Sequence, residues 1–374
     1  MQTAPQLFLF LSHSAFICGK LGNHMAWTTP QYKRGRVDAA GDTLIGTPVW
    51  EDDRDEALTV LNNWRSSHGF PLQCLKMTLL KRAKKVDERA IIAQRLKRLS
   101  SIEAKLQRFD GMKLSRMHDI GGCRAVVRTV GMVRKLVSLY EESDAKNPTD
   151  RAEFIRKYDY IAHPKEDGYR SVHIVYKYRS GSKKRTPYNG LRIEIQLRSR
   201  LQHVWATAVE TVSTFTGQAL KSNIGEVPWK RFFSLMGSIL ATRERTPLVP
   251  GTPTNKNELV GELRELTREL NVERILNGWG AALTHVPAKN TTHAVAFLLV
   301  LDTEAQTINI SGFTKPQLPQ AAEKYLETEK AIERKSGIQA VLVSVESVQA
   351  LRSAYPNYYL DTTAFIGAVT LAIA

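Results

Sequence analysis

Two carboxylates in a basic, glycine-containing setting carry the first chemical signal. Asp119 opens Asp119-Ile120-Gly121-Gly122-Cys123-Arg124, and Glu194 sits in Arg192-Ile193-Glu194-Ile195-Gln196-Leu197-Arg198. Between them lies His163-Pro164-Lys165-Glu166-Asp167-Gly168-Tyr169-Arg170-Ser171-Val172-His173. Lone acids among Lys and Arg suit Mg²⁺ bound together with a polyphosphate. Mg²⁺ needs only one or two carboxylates, because phosphate oxygens and water complete its shell. Lys and Arg then neutralise the remaining phosphate charge. The pattern points to a nucleoside triphosphate.

These residues need a scaffold, and the hydropathy pattern supplies one. Residues 51–85 read as two helices divided at His68-Gly69, the second ending in Lys81-Arg82-Ala83-Lys84-Lys85. Residues 88–128 read as strand, helix, strand: Ile91-Ile92-Ala93 runs into Arg95-Leu96-Lys97, Ser100 or Ser101 caps a short helix, and Cys123–Val127 is a buried strand. A helix over 131–143 follows, then strands at 171–178 and 191–198, joined by a loop with Gly181 and Lys183-Lys184-Arg185. Helices are expected over 199–215 and 228–245. Pro247, Pro250, Gly251 and Pro253 mark a linker. Beyond it the pattern predicts a helix at 257–276, strands at 294–301 and 305–311, a helix at 319–334 and a strand at 338–345. The expected class is α/β (α+β): a mixed sheet flanked by helices, with a small C-terminal β/α unit.

The chain has 374 residues, room for two or three domains. Its hydrophobic fraction of 43% and charged fraction of 24% suit a soluble globular protein. The net charge of +16 is uneven. Residues 257–374 hold 10 Lys and Arg against 13 Asp and Glu, net −3, which leaves the first 256 residues at net +19. A basic body suits a polyanionic partner, and an acidic tail could dock on it. Independent variation of surface charge would look the same. Cys18, Cys74 and Cys123 have no partner at metal-ligand spacing, which excludes a disulfide framework and a zinc finger. A cytoplasmic location fits best. The run Leu7–Leu11 is short and follows no basic residue, so it is not a signal peptide, and no segment is apolar enough to span a bilayer. Residues 1–24 read as an over-long start, with Met25 as an alternative initiator.

In type, order and spacing, the motifs of about residues 90–215 resemble the synthetase domain of the RelA/SpoT family. The resemblance implies transfer of the β,γ-pyrophosphate of ATP to a ribose 3′-hydroxyl. Asp119 and Glu194 would hold Mg²⁺, with Glu194 also orienting or deprotonating the hydroxyl. Arg95 and Arg124 would flank the adenine. Lys97, Ser101 and Lys105 would take the ATP phosphates. Tyr169 would stack on the acceptor base, with Lys165, His173, Gln196 and His203 lining that side. Taken singly, each has a plainer reading: Asp119 as a turn residue, Lys97 and Lys105 as solvated helix charges, Tyr169 as a strand aromatic, His173 and His203 as structural histidines. Cys123 reads as a small buried hydrophobe and Trp205 as core. Long members of the family also carry a His-Asp-marked hydrolase domain. The chain before residue 90 is too short and too poor in His for one, so synthetase activity alone is expected.

Two acceptors fit. Small alarmone synthetases use GDP or GTP; a toxic subgroup instead modifies the 3′-terminal adenosine of tRNA. Lys81, Arg82, Lys84, Lys85, Lys183, Lys184 and Arg185 could hold a tRNA backbone, or form an ordinary solvated face. The C-terminal unit resembles that of the CapRel group, fused toxin–antitoxins of bacterial anti-phage defence. That implies a zinc-finger-like fold without zinc, whose Tyr-x-x-Tyr motif, here Tyr355 and Tyr358, covers the adenine site until a phage structural protein binds. Aromatics pinning a terminal helix are the plainer alternative. The boundaries expected are an extension at 1–45, a synthetase at 46–220, a connecting helix and linker at 221–256, and a regulatory unit at 257–374. A monomer is favoured.

Overall fold

A computed structural model describes residues 27–46, 51–146, 152–216, 226–276, 284–285, 293–302, 304–332, 338–345, 351, 353–355 and 362–374. The run Leu7–Leu11, Cys18 and Tyr358 lie outside the described residues.

One mixed sheet organises the described residues. Its strands are β1 (Ile91–Leu96), β2 (Gly121–Val127), β3 (Ala152–Asp159), β4 (Val172–Tyr178), β5 (Arg192–Ser199), β6 (Thr284–His285), β7 (Ala296–Asp302), β8 (Thr307–Phe313) and β9 (Ile338–Ser344). They lie in the order β3-β4-β5-β2-β1-β9-β7-β8-β6. The strands of residues 91–199 therefore continue into those of the C-terminal third. The seam is short: β1 pairs with β9 only at Gln94↔Ser344 and Arg95↔Val343. By contrast β7 and β9 pair over the full length from Phe297↔Val343 to Asp302↔Ile338.

Strand alternation gives the sheet two unlike faces. On one, Cys123, Ala125, Val127, Ile174, Ile193, Ile195 and Leu197 are buried beneath two helices, α3 (Gly69–Val86) and α5 (Val130–Lys146). On the other, the strands carry Arg124, Glu194, Gln196 and Arg198, because Arg124 is in register with Gln196, and Gly122 with Glu194. His173 joins that face opposite Gln196. Past the seam the same face turns apolar: Ala93 packs with Leu299, Val341, Val343, Leu351 and Tyr355.

Helices α1 (Arg34–Ile45), α2 (Glu51–Ser67) and α4 (Leu99–Arg108) share a separate core of Val37, Leu44, Leu61, Trp64, Ile102 and Leu106. Residues 34–45, read from sequence as extension, thus form a packed helix. A fourth group joins α6 (Arg200–Thr216), α7 (Glu226–Glu244), α8 (Lys256–Glu269) and α10 (Thr363–Ile373) around Trp205, Phe232, Phe233, Leu263 and Phe365. The proline-containing segment lies against α7. Val249 is buried, its amide donates to Ser238 Oγ (2.9 Å), and Arg231 donates to the Gly251 carbonyl (2.7 Å). It is a fixed connection rather than a free tether. Helix α9 (Leu318–Ile332) covers the other face of the C-terminal strands through Ala321 and Tyr325.

Candidate active site

Asp119 lies just before β2 and meets both lysines expected for phosphate. Lys97 Nζ donates to Oδ2 at 2.7 Å and Lys105 Nζ to Oδ1 at 2.9 Å. Lys97 follows β1, and its amide donates to the Ile120 carbonyl (2.9 Å), which ties the two loops together. Lys105 reaches across from α4. Burial alone would raise the Asp119 pKa, but the two ammonium groups hold it well below the usual carboxylate range. Burial lowers the Lys97 pKa, with Asp119 opposing that shift.

Glu194 is held from the other side. His173 Nδ1 lies 3.0 Å from its Oε1, and Gln196 Nε2 donates to its Oε2 at 2.7 Å. The bonds continue in a closed ring: His173 Nε2 is 2.7 Å from the Tyr169 hydroxyl, Arg198 Nη2 donates to that hydroxyl at 2.9 Å, and the same nitrogen reaches Gln196 Oε1 at 3.3 Å. Burial disfavours charge on His173, but Tyr169 and Glu194 raise its pKa to about 9. Burial likewise disfavours the Tyr169 phenolate, yet Arg198 and His173 bring that group down to about 8. Glu194 is lowered despite its burial, chiefly by His173, while Asp119 acts in the opposite sense.

Two ionised carboxylates close enough to repel one another are the donor set a divalent cation relieves, and Mg²⁺ fits them. Asp119 and Glu194 would hold it, with phosphate oxygens and water completing the shell. Among the described residues no group of three or more His, Cys, Asp or Glu could hold a metal by itself.

Arg95 and Arg124 lie on neighbouring strands, with Arg95 opposite Gly122 and Ala93 opposite Arg124. The Arg124 guanidinium lies over the Tyr355 ring, 5.2 Å from its centroid, and the Tyr355 hydroxyl donates to the Gln94 carbonyl at 3.2 Å. His203, expected on the acceptor side, has Nε2 3.2 Å from the Ser353 carbonyl. Burial first, then Arg124 and Arg198, push its pKa well down. It thus stands near Arg124, near Arg198 of the ring, and against the segment carrying Tyr355. Ser101 stands in the first turn of α4.

The loop before β4 is pinned to α7. Gly168 has φ +94°, and a Cβ there would lie 2.8 Å from both the Phe233 carbonyl and Trp205 Cζ2, so only glycine fits. Trp205 donates to that carbonyl (2.9 Å), and Ser234 Oγ donates to the Glu166 carbonyl (2.8 Å). Lys165 Nζ lies 4.5 Å from the Tyr160 ring and 5.3 Å from the Tyr169 ring. The Tyr169 ring is edge-packed by Tyr160, His173 and Trp205, so in this conformation it is not an open stacking platform.

The basic residues proposed for an RNA backbone do not converge. Arg185 lies over Phe70, at the start of α3, whereas Lys81, Arg82, Lys84 and Lys85 end that helix, about 17–22 Å further along at the helical rise. Arg82 is spent on the Tyr140 ring (4.1 Å), and Lys84 on the Glu88 carbonyl (3.0 Å). Lys183 and Lys184 are exposed in the β4–β5 loop. Cys123 is buried, which pushes its thiol up to about 12 and removes it as a nucleophile. Among the described residues no helix is long and apolar enough to cross a membrane.

The reading from sequence missed Arg198, which closes the ring. The signal was there: residues 194, 196 and 198 share one face of a strand. Tyr160, beside Lys165 and stacked on Tyr158 (5.8 Å), carried none.

Residues 94–216 match the family model described as a region found in RelA/SpoT proteins. Asp119 and Glu194 both fall inside the matched segment. No curated protein matches the chain. Among solved structures, the small alarmone synthetase 1 of Bacillus subtilis, bound to its product pppGpp, is 24% identical, with 51% of this chain and 93% of that one covered and a TM-score of 0.39. A GTP pyrophosphokinase family protein of Streptococcus pneumoniae is 22% identical, covering 54% and 92%, with a TM-score of 0.36. The small alarmone synthetase 2 of Bacillus subtilis is 19% identical over 50% and 92%, with a TM-score of 0.38.

Proposed function

We propose that this chain is an ATP-dependent pyrophosphotransferase whose donor site is closed by its own C-terminal third. The observation that carries the reading is the meeting of Arg124 with Tyr355 on the face that also bears Glu194. The 3′-oxygen of a ribose attacks the β-phosphorus of ATP. The bond between the α,β-bridging oxygen and that phosphorus breaks, AMP leaves, and Glu194 takes the hydroxyl proton. Lys97 and Lys105 neutralise the transferred group, and the ring around Glu194 fixes the direction in which it accepts. Mg²⁺ would supply charge neutralisation at the phosphates. Catalysis of this kind rests on positioning and electrostatics.

The acceptor in this reading is the 3′-terminal adenosine of tRNA, whose modification blocks aminoacylation. The +19 balance of the first 256 residues supports a polyanionic acceptor. The C-terminal third would then act as antitoxin and as sensor of a phage structural protein, which must bind the open state more tightly to favour it. A second reading has support of its own. The RelA/SpoT match covers the site, and the Bacillus subtilis relative holds pppGpp as its product, so GDP or GTP is the alternative acceptor.

The test uses the full chain carrying Tyr355→Ala, because cutting at residue 250 would strip Phe365 from Phe232 and Phe233. The variant receives γ-³²P-ATP with tRNA, GDP or GTP in separate reactions. Label on tRNA that disappears when the terminal adenosine is removed is the expected result. Label on GDP or GTP alone replaces it with the second reading; label on none overturns both.

A further inference from the structure

Besides Tyr355, a second contact joins the C-terminal third to the site. Glu329 of α9 is buried, and its Oε2 accepts from Arg65 Nη1 of α2 at 2.6 Å. Its Oε1 accepts from the Leu99 amide at 2.8 Å. Leu99 is the first residue of α4, the helix that carries Ser101 and Lys105. That helix has no cap of its own. Arg98, at the cap position, makes no capping bond, its guanidinium is drawn to Gln339 Oε1 of β9 (2.6 Å), and no acid stands in the first turn. The amino end of a helix carries partial positive charge and unpaired N–H groups. Arg65 adds a full charge beside it. It is 1% exposed, its Nε has no hydrogen-bond partner among the described residues, and its guanidinium is roofed by the Tyr325 ring of α9 at 4.7 Å. Arg65 and the end of α4 thus make a cationic slot whose roof and whose anion both come from one C-terminal helix.

We propose that this slot is an anion site, filled by Glu329 when the C-terminal third is docked and taken by a phosphate-class anion when α9 lifts, so that docking and phosphate binding exclude each other. The inference rests on the proposed triphosphate-using site, since Ser101 and Lys105 lie on the same helix. It adds a blocking contact separate from the one at the adenine position. With α9 docked, a buried Arg left without its carboxylate is strongly disfavoured, so the slot demands an anion; with α9 lifted, the Arg65 charge and the amide end of α4 are left open to a soluble one. Charge exclusion at this point needs no contact with the base.

Inorganic tripolyphosphate, which has no base, separates this slot from the Tyr355 stop. Its binding to the full chain is measured by calorimetry for the wild type, Glu329→Gln and Glu329→Gln with Arg65→Met. Glutamine keeps the shape and an oxygen for the Leu99 amide but removes the charge. Glu329→Gln is expected to bind tripolyphosphate at least tenfold tighter and to speed amide hydrogen exchange at Leu99 and Ser344. Adding Arg65→Met should abolish the gain. Glu329→Asp keeps the charge on a shorter stem and should fall between wild type and Glu329→Gln; slow exchange in β5 reports that each variant is folded. Wild-type affinity in Glu329→Gln, or a gain that survives Arg65→Met, overturns the proposal. Neither readout requires catalysis, so an inactive enzyme would count against the proposed function and leave this result standing.

Discussion

Tyr355→Phe is the smallest perturbation that separates a stopper from a core residue. The ring stays, along with its place over Arg124, and the hydroxyl bond to the Gln94 carbonyl at 3.2 Å is lost. A neutral hydrogen bond contributes about 0.5–1.5 kcal/mol net. If Tyr355 and the donor compete, the apparent donor affinity is reduced by the docked fraction, and weakening docking by about 1 kcal/mol tightens donor binding roughly fivefold. Tyr355→Ala removes the buried ring as well, about 3–5 kcal/mol by analogy with other aromatic truncations. Part of that loss falls inside the core with Val343, Leu351 and Ala354, so the docking share is smaller. The alanine variant should bind more tightly than the phenylalanine one and level off at the intrinsic affinity. Calorimetry with Mg²⁺ and a non-hydrolysable ATP analogue on the full chain measures both. The reasoning is refuted if Tyr355→Ala, with β1 and β9 amides exchanging freely, binds the analogue no better than wild type.

Three further outcomes are expected. Asp119→Asn should lower transfer at least about 100-fold in the Tyr355→Ala background, because one preorganised charge at a phosphoryl site has that weight; unchanged turnover would remove Asp119 from the site. Gly168→Ala should destabilise the loop by about 1–3 kcal/mol, since φ is +94° and the Cβ meets Phe233 and Trp205, and denaturant midpoints check this. His68 is buried, which lowers its pKa from 6.5 to about 4, with Nδ1 2.7 Å from the Trp64 carbonyl. Unfolding frees the ring to take a proton, so stability falls as pH drops from 6.5 towards about 4, by about 3 kcal/mol in all, and no further from this group below that. Urea titrations of wild type against His68→Asn should show that part of the slope vanish.

Much of the site was legible because phosphate chemistry restricts residue types. Lys97, Lys105, His173 and Gln196 were named from the family resemblance and not from spacing, and the contacts they make with Asp119 and Glu194 were not read from the sequence. Strands β7, β8 and β9 and helix α9 lie where the apolar periods put them, each within two or three residues, whereas the helix expected at 257–276 stops at Glu269, just before Asn271 takes a positive φ. Strand β3 was not read, because Ala152–Asp159 mixes charge and aromatic residues at an edge, with no clean alternation. The β1–β9 seam was also illegible. Strand pairing between distant segments is decided by which edges remain open after local folding, and no local pattern records it. The packing of the proline-containing segment was illegible for a related reason: Pro and Gly mark a break in helix, but not whether the broken segment packs, as Val249 does.

That seam bears on how the molecule can open. Edge strands invite pairing with other chains, and an undocked β9 would leave two of them, on β1 and on β9 itself. The strand bonds there are few, ending at Gln94 and Arg95. Polar anchors surround them: Arg98 to Gln339, Lys76 to Ser344 Oγ at 3.2 Å, and Arg65 to Glu329. Such a joint holds through specific charges and hydrogen bonds more than through pairing length, so loss of one anchor weakens it without disturbing the β7–β9 pairing behind it. A partner that favours opening must do more than pull β9 away; it must satisfy the edges it uncovers, or the open chain will associate with its own copies. Opening induced by Glu329→Gln alone should therefore raise self-association with protein concentration, and light scattering across a dilution series would register it. An open variant that stays monomeric would mean that β1 is closed by some other segment once β9 departs.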